Sequence, residues 1–233
     1  MLDFIKRRDI VKKPFVRVAL VTFASGSYNG IEKKLIESMN KFNPSIATFA
    51  FHDVSEINAP AHAEAPYAFK AYAVDKIRIM GYDIVIWCDS CLRAVKSLDT
   101  FIPEISSRGV YVQRDGWKCG EWANDRALNY FNVTREQSMS IDSIYAQCMG
   151  FDFRTKLAND FLSMWLGAAQ AGIFKGAWKN IDNSESEDPR VLGHRHDQTC
   201  AELISYHLRV LKGDIIAHDD PNRPRYFTTW DHP

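Results

Sequence analysis

Residues 83–95 read "DIVIWCDSCLRAV", and their reading decides the fold. Ile84 to Cys88 carry no charge and end abruptly at Asp89, Ser90 and Cys91. A short, continuously apolar, β-branched run bounded by polar residues is a strand buried on both faces, as in a parallel sheet. Just ahead of it, Phe69, Tyr72, Ala73, Lys76, Ile77 and Met80 recur at helical spacing, and Gly81 stands where a glycine stop belongs. Further back, "FVRVALVTFASG" (15–26) is a β-branched and aromatic run closing in small residues, which predicts a first, central strand. Ile31, Leu35, Met39 and Phe42 then mark a helix closed by Asn43-Pro44, and "SIATFAFHD" (45–53) a second strand. Strand–helix–strand alternation implies right-handed crossovers and one α/β, Rossmann-like domain: a mainly parallel central sheet flanked by helices.

Beyond Asp89, "SLDTFIPEISSRG" predicts a short helix and "GVYVQRDG" another strand. From there to Lys179 the chain reads as mostly helical, with Thr134 and Gln137 as a capping box ahead of "SMSIDSIYAQ". Residues 180–189 predict a mobile polar loop. Cys200, Leu203, Ile204, Leu208 and Leu211 mark a last amphipathic helix closed by Gly213, and "DIIAH" a final strand. The expected organisation is a basic segment at 1–14, a domain at 15–220 and an irregular tail at 221–233. In open sheets of this kind ligands bind beyond the carboxyl ends of the strands. That rule gathers the Thr22–Gly26 loop, His52-Asp53, Asp89-Ser90-Cys91 and His218-Asp219.

Lys+Arg and Asp+Glu both number 29, so no excess of positive charge points to nucleic acid. The one basic cluster, Lys6 to Lys13, reads as a solvated segment or as a weak contact for an anionic surface. No apolar run approaches the ~20 residues of a membrane span, and no secretory h-region is present. An odd number of cysteines, five, in a chain of 233 residues favours free thiols and a reducing, cytoplasmic setting.

A carboxylate just past a buried strand can cap a following helix, or it can hold a cation or bridge a phosphate. The surrounding residues bear on that choice. "PYAFKAYAVDKIRIMGYDIVIWCDSCL" (66–92) resembles the core of GT-A-type nucleotide-sugar glycosyltransferases, in which a lysine-bearing helix precedes a strand ending in a DxD signature. "GHRHDQTCAELISYHL" (193–208) is similar to the HR-x-DQ segment that opens a late helix in a branch of that family.

The resemblance implies transfer of a sugar from a nucleoside-diphosphate sugar to a hydroxyl acceptor: a glycan, a protein or a modified nucleic-acid base. It implies Mn²⁺ or Mg²⁺ on the donor diphosphate, held by Asp89, Cys91 and His218. Here the second acid of the signature is a cysteine, a soft ligand ill-suited to Mg²⁺. Lys70, Arg223 and Arg225 are expected to supplement or replace the metal's charge. Asp197 and Gln198 are implied to face the sugar, with Asp197 the first choice of base ahead of Asp188 and Glu187. Ser25, Asp53, Lys70, Ser90 and Asp89 are the expected donor contacts. Trp117, in a glycine-flanked loop, is the acceptor candidate, whereas Trp165 sits at core spacing.

Rival readings are a catalytically inactive GT-A-like binding module, a zinc or redox protein built on Cys88-x-x-Cys91, and a hydrolase using Asp89 as nucleophile. The P-loop and G-x-G-x-x-G patterns are absent.

Overall fold

The computed structural model describes residues 15–213 and 226–229. The first four elements alternate as the periodicity predicts: β1 (Val18–Phe23), α1 (Glu32–Phe42), β2 (Ala47–Phe51) and α2 (Phe69–Ile79). β3 (Ile84–Cys88) follows, fully buried along its length. Next come β4 (Leu92–Ala94), α3 (Phe101–Arg108), β5 (Val110–Tyr111), β6 (Arg114–Lys118), α4 (Asp125–Tyr130), α5 (Arg135–Ser140), β7 (Asp142–Ile144) and β8 (Cys148–Asp152). The described chain closes with α6 (Lys156–Gln170), α7 (His196–His207) and β9 (Phe227–Thr229).

The central sheet has five strands in the order β2-β1-β3-β8-β5. β1 pairs in parallel with β2 and β3, while β8 runs antiparallel to both of its neighbours, β3 and β5. The sheet is therefore mixed, with one reversed strand. Alternate residues enter two cores. Ala19, Val21, Val85 and Trp87 meet α2, α6 and α7 on one face. Leu20, Ile84, Ile86 and Cys88 meet α1 and α3 on the other. Burying side chains of the size of Ile84 and Ile86 stabilises by about 1.5–3 kcal/mol each.

Four expectations are corrected. The region before Lys179 is not mostly helical: "SIDSIYAQ" forms β7, and "CMGFD" forms the reversed strand β8. β8 is buried on both faces, so it shows no polar–apolar alternation. Its Gly150 lies under Ile105, where a Cβ would come within 2.6 Å of the Ile105 side chain. The capping box at Thr134 and Gln137 does form, but α5 ends at Ser140. The 180–189 loop is tied down: the Asn180 amide donates to the Ser186 and Val191 carbonyls, and Glu185 accepts from Asn124 and Ala177. The last helix ends at His207, ahead of Arg209 in a left-handed conformation, rather than at Gly213. Part of the expected irregular tail is ordered as β9, which pairs antiparallel with β4. The basic segment 1–14, the "DIIAH" strand, His218, Arg223 and Arg225 lie outside the described residues.

Candidate functional site

A cavity of about 450 Å³ opens at the carboxyl ends of β1 and β3, within the range of ligand sites of about 300–1,000 Å³. Three charged groups from distant parts of the chain converge on its wall. Lys70 stands on the first turn of α2, with its side chain 7% exposed. Asp89 follows β3, and Asp197 lies in the first turn of α7. Lys70 Nζ is 3.1 Å from Asp89 Oδ1 and 3.3 Å from Asp197 Oδ2, and it also donates to the Ala146 carbonyl at 3.4 Å.

Asp89 does not cap a helix, because β4 follows it. Its backbone N–H donates to the Gln147 carbonyl at 2.8 Å. Its carboxylate instead accepts from the Trp87 indole Nε1 at 2.9 Å and meets Lys70. The side chain keeps 24% of its surface exposed toward the cavity. Asp197 is buried; its Oδ2 meets the Lys70 ammonium at 3.3 Å with no other donor among the described residues, and the Gln198 backbone N–H also favours its ionised form. Burial pushes the Asp197 carboxyl up to about 6, with Lys70 working against that rise and Asp89 adding to it. Burial would lower the Lys70 ammonium, but the two carboxylates outweigh it and hold Lys70 protonated. One cation thus serves two acids.

Backbone strain frames the site. Tyr67 (φ 61°), two residues ahead of α2, and His196 (φ 49°), the first residue of α7, both adopt the left-handed conformation, rare for bulky residues. Their rings lie 5.5 Å apart. His196 Nδ1 is 2.8 Å from the Phe174 carbonyl and His194 Nε2 3.1 Å from that of Ile173. Burial lowers both imidazoles, so they serve as neutral local hydrogen-bonding groups. Trp165 is core, as its spacing implies, and donates from Nε1 to the Asp197 carbonyl at 3.0 Å.

Of the sequence candidates, Ser25, Lys70, Asp89, Ser90, Cys91, Asp197 and Gln198 all line this one cavity. Asp53 does not: it caps the short 3₁₀ turn Val54–Ile57, accepting from the Ser55 N–H at 2.8 Å. Asp188 is engaged at the surface by Arg190. Sequence reading missed Tyr28, His62, Tyr67 and Arg195 on the lining. It also missed a polar cluster behind Gln198, whose Nε2 lies 3.2 Å from Asp115, Ser143 and Glu202. The arginine of "GHRHDQ" was the available signal for Arg195; Asp115 and Ser143 sit in no pattern.

The cysteines do not form a motif. Cys88 points into the α1/α3 core, where its sulfur is 3.9 Å from that of Cys148, its cross-strand partner. Cys91 lies at the cavity. Burial raises both thiols, Cys91 to about 11, which keeps them protonated and poor as ligands or nucleophiles. The described residues do not fit a protein-built Mn²⁺ or Mg²⁺ centre. Asp89 Oδ1 is taken by Lys70 and Trp87, the Cys91 thiol is protonated, and no group of three His, Cys, Asp or Glu residues stands ready among the described residues. The positive charge beside Asp89 is the lysine's.

Gly193 keeps the cavity's outer wall in place. A Cβ there would come within 2.1 Å of the Trp178 carbonyl oxygen, and the next residue's N–H, that of His194, donates to the Ala177 carbonyl at 2.9 Å. Gly193→Ala is expected to lower stability by about 3 kcal/mol through backbone overpacking, read by urea denaturation. An unchanged midpoint would mean that the two segments are free to separate.

No family model matches the sequence, and no curated protein matches it.

Proposed function

We propose that the protein is a glycosyltransferase whose donor, a nucleoside-diphosphate sugar, binds in the cavity walled by Lys70, Asp89 and Asp197. The observation that carries the reading is the convergence of one buried ammonium on two carboxylates at the mouth of an α/β sheet, beside aromatic walls. Tyr28, Tyr67, Phe69 and Trp178 offer flat apolar surface for a base or sugar ring, while Ser25, Ser90, Gln198 and Arg195 offer hydrogen bonds for hydroxyls and phosphate. This mixture suits a ligand that is part ring, part polyol and part anion.

In the transfer, the bond between the anomeric carbon and the diphosphate oxygen breaks, and the leaving diphosphate keeps the electron pair. The acceptor's hydroxyl oxygen forms the new bond to that carbon, and Asp197 takes the hydroxyl proton. Lys70 and Arg195 place fixed positive charge at the cavity wall, where negative charge grows on the leaving group. Lys70 also holds Asp197 in its ionised form. Sequence reading assigns Mn²⁺ or Mg²⁺ to this charge role; with Asp89 already engaged by Lys70, the reaction is assigned to the chain's own cations.

The test is a thermal-shift panel of UDP-, GDP- and dTDP-sugars, each with and without Mn²⁺, on the wild-type chain and Asp89→Ala. A ligand that binds only the folded state raises the melting point in proportion to its affinity. A metal-indifferent shift with one donor is the expected outcome, and it should persist in Asp89→Ala, where Lys70 loses a competing carboxylate. No shift with any donor would remove the reading. A shift that needs Mn²⁺ would return the charge role to a metal.

A further inference from the structure

We infer that the aromatic strip beside the cavity mouth is the acceptor site, and that it takes a neutral glycan. The inference rests on the donor reading above, since an acceptor must lie next to the donor. Trp117 and Trp178 are 47% and 51% exposed, far more than indoles normally are in a folded protein. They flank Trp122, with ring centroids 6.0 Å and 6.5 Å from it. The Arg195 guanidinium lies over the Trp122 ring at 4.0 Å and faces Trp178 at 5.6 Å. Trp178 and Arg195 also line the donor cavity, so the strip runs without a break from open surface to the reacting groups.

Charge selects the class of acceptor. A polyanion such as single-stranded nucleic acid needs stacking rings together with uncompensated cations. Around the strip Lys179, next to Trp178, is exposed and has no ion-pair partner among the described residues, a single cation, but three others there have acids of their own. Arg195 has Asp115 at 3.9 Å, Lys118 has Asp142 at 2.5 Å, and Arg190 has Asp188 and Glu136 at 2.7 and 2.6 Å. What remains is flat apolar surface edged, Lys179 apart, by paired polar groups. A sugar ring complements it, with an apolar C–H face for the indole and hydroxyls for Arg195 and Gln198.

The test uses the full chain on a printed array of neutral oligosaccharides, with and without UDP. The best binder is then titrated by tryptophan fluorescence against wild type, Trp117→Ala and Trp178→Ala. Binding by a neutral glycan, weakened about tenfold or more in both variants, is expected. Circular dichroism checks that the variants fold, and Trp117→Ala, which lies off the donor cavity, should keep the nucleotide-sugar thermal shift. Binding of a dodecameric oligothymidylate in preference to every neutral glycan would overturn the inference. So would glycan binding that ignores both substitutions, or none at millimolar concentration. Nucleotide-sugar shifts without glycan binding would sink the strip and leave the donor site standing. Glycan binding without any nucleotide-sugar shift would do the reverse.

Discussion

Lys70→Met is expected to lower the stability of the fold by about 3–5 kcal/mol at pH 8, because removing one partner of a buried ion pair strands the other. Here two carboxylates, 3.1 and 3.3 Å from the same ammonium, would be left facing each other. The loss should be pH-dependent, and its sign follows from Asp197. Its folded-state value, about 6 in wild type, lies above the ~3.9 of an unfolded aspartate. A raised acid destabilises the fold increasingly as pH climbs from the unfolded value to the folded one, and the effect is constant above that. Without Lys70 the folded value rises further, so the window widens upward. The deficit between variant and wild type should therefore be greatest at pH 8 and shrink toward pH 4. Urea denaturation across that range reads it directly. A variant as stable as wild type at pH 8 would show that the ammonium is not the compensating charge.

Asp197→Asn is expected to lower the rate of sugar transfer by about 10²–10⁴-fold, the range for removing a positioned general base. Donor affinity should change little, since the amide keeps the shape and Lys70 keeps Asp89. The wild-type rate should fall about tenfold per pH unit below about 6, as Asp197 takes up its proton. That acid limb should vanish in the variant. Stability at pH 7 should drop less than in Lys70→Met, because Asp89 still pairs with the buried ammonium at 3.1 Å. A full-rate variant, or one retaining the same acid limb, would move the base elsewhere.

The fold was legible where local pattern and burial agree. β1, β3 and α2 carry long, consistent signals, and Gly81 at φ 84° closes its helix as a glycine stop should. β8 was illegible because a short strand buried on both faces, with a glycine at its centre, has neither alternation nor helical period. The same physics hid the reversal of direction: pairing partners are set by tertiary contact, such as that of Gly150 with Ile105, and not by local propensity. In the site, Asp89 and Asp197 were visible as acids at element ends, and Lys70 as a lysine on an apolar helix. Their meeting on one ammonium was not visible, because 127 positions (70 to 197) separate the outer two. Asp53 misled for a related reason: an acid after a strand serves a cap as readily as a ligand, and here the nearby Ser55 N–H claimed it.

The cavity's claim on a nucleotide sugar is tested most directly at the Trp87 indole, whose N–H donates to Asp89 at 2.9 Å. Its ¹⁵N-indole resonance, assigned with Trp87→Phe among the six tryptophans, should be followed while UDP-, GDP- and dTDP-sugars are titrated into the full chain. The expected result is a saturable shift of the Trp87 and Trp178 resonances with one donor, unchanged by a chelator. A Trp87 resonance that no donor moves at millimolar concentration would contradict the assignment of this cavity to sugar transfer.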